Sequence, residues 1–167
     1  SPDGDQGYPG NIDVEAEFTL QDSTLVLRHR AVSDADTLCS LTSHGYFNLA
    51  GHDHPEKAMG QILSMPARFF TVCDADSIPT GENRSVEGTP FDFRVAKPIG
   101  KDIGVEDDQL AIGKGYDHNF CLNDGDGPIA TAYDPESGRF MEVFTDLCGV
   151  QLYTGNFLDG TKNGKNG

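Results

Sequence analysis

The chain holds 167 residues, 37% of them hydrophobic, which supports one domain with a real core and excludes a disordered tail. With 27 acidic against 12 basic residues the formal net charge is −15, spread along the chain, so its field repels phosphate backbones and anionic lipid. Nucleic acid and membrane surfaces are therefore excluded as partners, and a neutral polar ligand suits the surface.

The opening Ser1, Pro2, Asp3, Gly4, Asp5 is acidic and Gly-rich where a signal peptide would be basic and then apolar. No apolar run reaches the roughly 18 residues of a membrane span. Cys39, Cys73, Cys121 and Cys148 form no C-x-x-C pair, which points to buried, reduced thiols and a cytosolic compartment. The first residue is not Met, so Ser1 need not be the biological start, and the expectation is a fragment.

Apolar residues alternate with period two, which predicts strands. From Val14 to Leu20 the set Val14, Ala16, Phe18, Leu20 is interleaved with Glu15, Glu17 and Thr19, predicting one face in a core and one in water. A turn at Gln21, Asp22 and Ser23 leads to a second strand over Leu25 to Val32 and a third over Thr37 to Thr42, an antiparallel meander. Further strands are expected at Ile62 to Met65, Phe69 to Val72, Phe120 to Leu122 and Ile129 to Tyr133. Pro135, Glu136, Ser137 and Gly138 make a turn into a paired strand over Arg139 to Thr145, and a last strand spans Val150 to Phe157. Helix is expected only as a turn or two between Lys97 and Leu110.

Several chemistries fail on inspection. Gly125, Gly127 and Ala130 spell G-x-G-x-x-A, but Pro128 and the strand-like Ile129 to Tyr133 deny the helix that must hold a pyrophosphate. Asp124 and Asp126 lack the spacing and closing Glu of an EF-hand loop. His52 and His54 have no third ligand in sight and read as a solvated pair. No metal or cofactor is expected.

Three polar clusters remain. His44 has two aromatics, Tyr46 and Phe47, and polar amide and hydroxyl groups close by in Leu41 to Gly51, after an expected strand, where a titrating group is delivered to a sugar-sized cleft; a core or loop histidine is the competing reading. Asp117, His118 and Asn119 stand between Tyr116 and Phe120 at a strand start. Gln151 and Tyr153 share a strand face, with Asn156 beyond. Each cluster taken singly fits a satisfied buried network. Three together suggest a site for a polyhydroxylated ligand.

The stretch His44 to Gly51, then Ile78, Pro79, Thr80, Gly81, Glu82 with Val86 to Phe93, then Gly115 to Phe120, then Gly149 to Gly160, resembles the ordered motifs of the aldose 1-epimerase (galactose mutarotase) family. The opening Ser1 to Gly4 with Gly7 to Gly10 is similar too. The resemblance implies an all-β, large antiparallel β-sandwich, the supersandwich of that family, and a cofactor-free interconversion of the α and β anomers of aldoses such as galactose and glucose. It assigns His44 as general acid toward the ring oxygen, a role suited to an imidazole of intrinsic pKa roughly 6.5. By the same resemblance Asp117 accepts hydrogen bonds from sugar hydroxyls, Gln151 is a further sugar contact, and Gly45 and Tyr46 line the pocket. The family usually has Asn where Ser40 and Ser43 stand, and Ser or Thr where Gly45 stands. Its N-terminal Arg and His, and its general-base glutamate, match nothing here, Thr161 to Gly167 included. The resemblance therefore implies that residues 1–167 are the central part of a single mutarotase domain. A non-catalytic carbohydrate-binding or regulatory module that kept His44, Asp117 and Gln151 is the alternative of a different class.

Overall fold

The computed structural model describes residues 1–122, 125–158 and 160–161. It divides into two compact units, Ser1–Phe47 and Asn48–Gly167. In the first, β1 (Ile12–Gln21) and β2 (Thr24–Ser33) pair antiparallel from Ile12↔Ser33 to Gln21↔Thr24. Asp22, at a left-handed φ of 53°, closes the expected turn. The segment before β1 is tied to this hairpin at Ser1, whose N–H donates to the Ile12 carbonyl at 3.0 Å and whose carbonyl accepts from the Ile12 N–H at 2.8 Å.

Two expectations fail in this unit. Residues 37–42 form no strand, because no strand among the described residues offers them a ladder, and their Ser and Cys side chains alternate poorly with apolar ones. The apolar face of β1 and β2 is also not in a core. Phe18 is 65% exposed and Leu20 74%, since this two-stranded sheet has no third layer within its unit to cover that face.

Among its described residues the second unit carries two four-stranded antiparallel sheets. One has the order β10-β7-β4-β5, the other β6-β3-β8-β9. The strands are β3 (Ile62–Ser64), β4 (Phe69–Cys73), β5 (Pro79–Ser85), β6 (Lys97–Pro98), β7 (Asp117–Cys121), β8 (Ala130–Tyr133), β9 (Phe140–Val143) and β10 (Gly149–Tyr153). Leu63 and Ala130 from one sheet and Phe70, Val72 and Phe120 from the other enter a single core, which makes the pair a sandwich. The alternation in β4 (Phe70, Val72 inward) and β7 (His118, Phe120 inward) creates it.

The loop after β5 fills the centre. Phe91 is fully buried and stacks on Phe70 with centroids 4.1 Å apart, while Tyr116 and His118 meet its ring edge-on. Two donors fix this loop at the Pro90 carbonyl, the Tyr116 hydroxyl at 2.9 Å and the buried Lys97 ammonium at 2.7 Å. Lys97 is paired with Asp102 at 2.7 Å and lies over the Phe93 ring. Burial pushes the Tyr116 phenol far up, so it keeps the proton that it donates to Pro90.

Helix is less confined than the sequence suggests. A 3₁₀ turn at Ile99–Lys101 lies in the expected window, but α1 (Asp108–Gly113) begins inside it and runs beyond, and further 3₁₀ turns occupy Asp5–Gly7 and Pro55–Gly60. The reason for α1 is its cap: Asp107 accepts from the N–H groups of Gln109 and Leu110, outweighing the nearby glycines. Strand β5 is absent from the sequence reading because Pro79 and Gly81 are breakers by composition. Its edge position tolerates them. The four cysteines are free, but none is buried: Cys39 and Cys148 are exposed, Cys73 and Cys121 half-buried. Asp124 of the acidic turn and residues 162–167 lie outside the described residues.

Strands β4 and β7 are in register only at Phe69↔Cys121 and Phe70↔Phe120. Beyond that point the buried Gln109 side chain of α1 stands in for a strand. Its Oε1 accepts from the Cys73 N–H at 2.8 Å and its Nε2 donates to the Cys73 carbonyl at 3.1 Å. Gln109→Leu keeps the volume but leaves both backbone groups unpaired, and it is expected to cost about 1–3 kcal/mol per group. Urea unfolding followed by circular dichroism checks this; an unchanged midpoint contradicts it.

Candidate functional site

The face of β10-β7-β4-β5 opposite the core is polar by the same alternation. The register Tyr153↔Asp117 and Gln151↔Asn119 places these four side chains on one surface, and Thr71↔Asn83 continues it across β4 and β5. Gln151 Nε2 donates to Asp117 Oδ1 at 2.9 Å, reaching diagonally across the strand pair. Asn119 Nδ2 donates to Thr71 Oγ1 at 3.0 Å, and Thr71 Oγ1 donates to Asn83 Oδ1 at 3.3 Å. Gly149 makes this floor flat: a methyl group there would collide with the Asn119 carboxamide.

Asp117 and Gln151, separated by 34 positions, are thus brought into contact as sugar-contact candidates. Gln151 is exposed and Asp117 half-buried, so both reach solvent from a rigid sheet. The nearby Cys73 thiol is pushed up by burial, with the Asp117 and Asp74 charges adding to it. Asn119 belongs to a polar cluster that the sequence marks, whereas Thr71 and Asn83, which extend it into a row, carry no such mark. The signal for Thr71 was the alternation of Phe69, Thr71 and Cys73 against Phe70 and Val72.

His44 belongs to the first unit, in a segment without regular structure. It is exposed, with its ring 5.1 Å from that of Tyr46 and tilted by 46°. Gly45 between them has the Phe47 ring beside it. The three neighbours in sequence therefore stay together in space. The strand expected to deliver His44 does not form.

Other residues of the clusters are structural. Tyr116 is core. Asn156 Nδ2 donates to the carbonyls of Gly113 at 2.7 Å and Tyr116 at 2.9 Å, clamping the end of α1 to the start of β7. Any side chain at Gly115, whose φ is 134°, would displace it. His52 and His54 face the Asp53 and Glu56 carboxylates at 2.8 and 3.5 Å at the surface. Among the described residues no group of His, Cys, Asp and Glu has the arrangement of a metal site, and no helix is long and apolar enough to cross a membrane.

The family model of aldose 1-epimerase matches residues 1–166. The chain belongs to the aldose 1-epimerase family. It is 43% identical over 169 residues to the galactose mutarotase of Bos taurus, covering all of this chain and 48% of that protein. Against the aldose 1-epimerase of Haemophilus influenzae the identity is 39%, over 99% of this chain and 49% of that one. The crystal structure of galactose 1-epimerase from Lactobacillus acidophilus superimposes with a TM-score of 0.86 at 33% identity, covering 97% of this chain and 47% of that one. The chain spans about half the length of the relatives it matches.

In this member of the aldose 1-epimerase family, His118 is 1% exposed and lies on the core side of β7. Burial holds its imidazole below the usual 6.5, against the opposing pull of Asp117, Asp107 and Asp108. Its neutral form is therefore favoured by the fold, while the unfolded chain binds the proton more readily. Stability from this group is complete above about pH 6.5 and is lost as the pH falls below it. The carboxylates held low, Asp92 by Arg94 and Asp134 by Ser137, titrate in a separate window below about 3.8. Urea midpoints at pH 7.5 and 5.5 are expected to differ for the native sequence and to differ less for His118→Asn. An equal pH dependence in both contradicts the assignment.

Proposed function

We propose that the chain is the central part of a single mutarotase domain, and that the complete protein interconverts the α and β anomers of hexoses such as galactose and glucose. The observation that carries this reading is the Asp117–Gln151 pair, standing on an open polar sheet face in a chain that matches its family over residues 1–166. A carboxylate oxygen and an amide N–H side by side offer an acceptor and a donor, which is what vicinal sugar hydroxyls require.

In the proposed reaction a base removes the proton from the anomeric hydroxyl while His44 protonates the ring oxygen. The C1–O5 bond breaks, the open-chain aldehyde rotates about C1–C2, and ring closure on the other face returns both protons. Electrons and atoms balance without a redox cofactor. Asp117 and Gln151 hold hydroxyls that do not react, so that rotation moves the aldehyde and leaves the rest of the sugar in place. Tyr46 and Gly45 are assigned to the pocket beside the acid. The base is proposed to be a glutamate in the half of the relatives' length that this chain does not span. Hexose metabolism in the cytosol is the proposed setting, supported by four free thiols.

The test is polarimetry of α-galactose and α-glucose with the product of the complete coding sequence. His44→Ala is expected to lower kcat by about 10²- to 10⁴-fold with little change in KM, because a general acid acts in the transition state. Gln151→Ala is expected to weaken binding and turnover together, since its bond to the sugar exists in both states. The 167-residue chain alone is expected to be nearly inactive. Small, equal effects of the two substitutions would favour a binding module instead.

A further inference from the structure

Asp117 stands where the ladder on one side of β7 has ended. Just beyond the ends of β7 and β10 the Thr154 N–H donates to the Tyr116 carbonyl and the Tyr116 N–H to the Thr154 hydroxyl, so the Tyr116 backbone groups are directed toward β10. By the alternation of an antiparallel ladder, the next residue, Asp117, directs its own N–H away from β10 and toward β4. Pairing with β4 is confined to Phe69 and Phe70, and the Cys73 backbone is taken by Gln109. The Asp117 N–H finds its acceptor in a side chain instead, donating to His118 Nδ1 at 3.2 Å.

An Nδ1 that accepts fixes the tautomer, since the proton of a neutral imidazole must then sit on Nε2. Among the described residues, buried His118 Nε2 has no hydrogen-bond partner. Its surroundings are the rings of Phe91 and Phe70, met edge-on at 4.8 and 5.8 Å, and Gly113 of α1 against its Cε1 edge. An unpaired buried donor costs about 1–3 kcal/mol, and a leucine would fill the same space without it. Packing alone does not account for an imidazole here; the bond at Nδ1 does.

We propose that His118 is a positioning residue: from the core side of the sheet its neutral imidazole holds the Asp117 backbone, and thereby the Asp117 carboxylate, at the sugar-contact position. This rests on the function proposed above for Asp117. The charges that act on the imidazole are those of Asp117 on its own strand and of Asp107 and Asp108 at the start of α1.

The experiment compares His118→Asn with His118→Leu in the protein made from its complete coding sequence. Asn places an acceptor oxygen where Nδ1 stands; Leu places none. The Leu variant is expected to raise KM for galactose about 5- to 10-fold, as for one hydrogen bond of about 1 kcal/mol, and the Asn variant to stay within about 2-fold. Both are expected to lower the melting temperature, so a merely structural role would move stability in both and KM in neither. Equal KM values in Asn and Leu overturn the proposal. A second measurement needs neither activity nor a folded Leu variant. In ¹⁵N-histidine-labelled native protein, the resonances that vanish in His118→Asn are expected to report a proton on Nε2 and none on Nδ1, and a proton on Nδ1 overturns the proposal. If the native protein shows no mutarotation, the proposed function falls, and the tautomer still decides the role of His118 toward Asp117.

Discussion

The site side of this molecule depends on the parting of β4 from β7. The two strands are in register for two residue pairs, and past Phe70 and Phe120 each has backbone groups that the other no longer satisfies. Buried backbone groups cannot stay unpaired without a cost comparable to a large share of a small protein's stability. Side chains fill the gap: the Gln109 carboxamide serves Cys73, and the His118 imidazole serves Asp117. Asp117 can therefore stand at an open end of the sheet and still be rigid. The short helix α1 exists to deliver one of these side chains, and the Asp107 cap starts it at the right residue.

A second constraint is the strict alternation of β7. Asp117, Asn119 and Cys121 face one way, His118 and Phe120 the other, so a five-residue strand contributes both to the polar face proposed to meet the sugar and to an aromatic core. The two sides are not independent. A change in the core at His118 acts on Asp117 through the backbone, and a change at Gly149 acts on Asn119 through space.

Much of this was legible from residues alone. The strands around Phe69, Phe120, Ile129, Phe140 and Val150 follow from period-two patterning, and Pro135 to Gly138 form the turn that their dihedral preferences demand, with Gly138 at a φ of 71°. The pairing of Asp117 with Gln151 was reachable only as a shared ligand preference, because register between distant strands is not written locally. The strand expected before His44 failed for the converse reason: local pattern nominates a strand, but only a partner makes one. The apolar residues of β1 were read as core because alternation specifies which side chains share a face and says nothing about what covers that face. The histidines show the same limit: His44 and His118 both stand in polar clusters with aromatic neighbours in sequence, and only the structure shows that one is exposed and the other closed inside an aromatic box.

The charge of the polar face argues for the class of ligand independently of the relatives. The chain carries a formal −15, yet the row Gln151, Asn119, Thr71 and Asn83 is made of neutral groups, with the Asp117 carboxylate beside it. A divalent cation would need several carboxylate or carbonyl oxygens converging on one point. A phosphorylated sugar would need Arg, Lys or bare N–H groups, and in this acidic field it would be repelled. A neutral polyol asks for neither. It asks for donors and acceptors alternating at the spacing of adjacent strands, about 4.8 Å, held still enough that each hydroxyl meets its partner without reorganisation. Carboxamides that are themselves fixed by hydrogen bonds, as Asn119 is by Thr71 and Gln151 by Asp117, provide that surface.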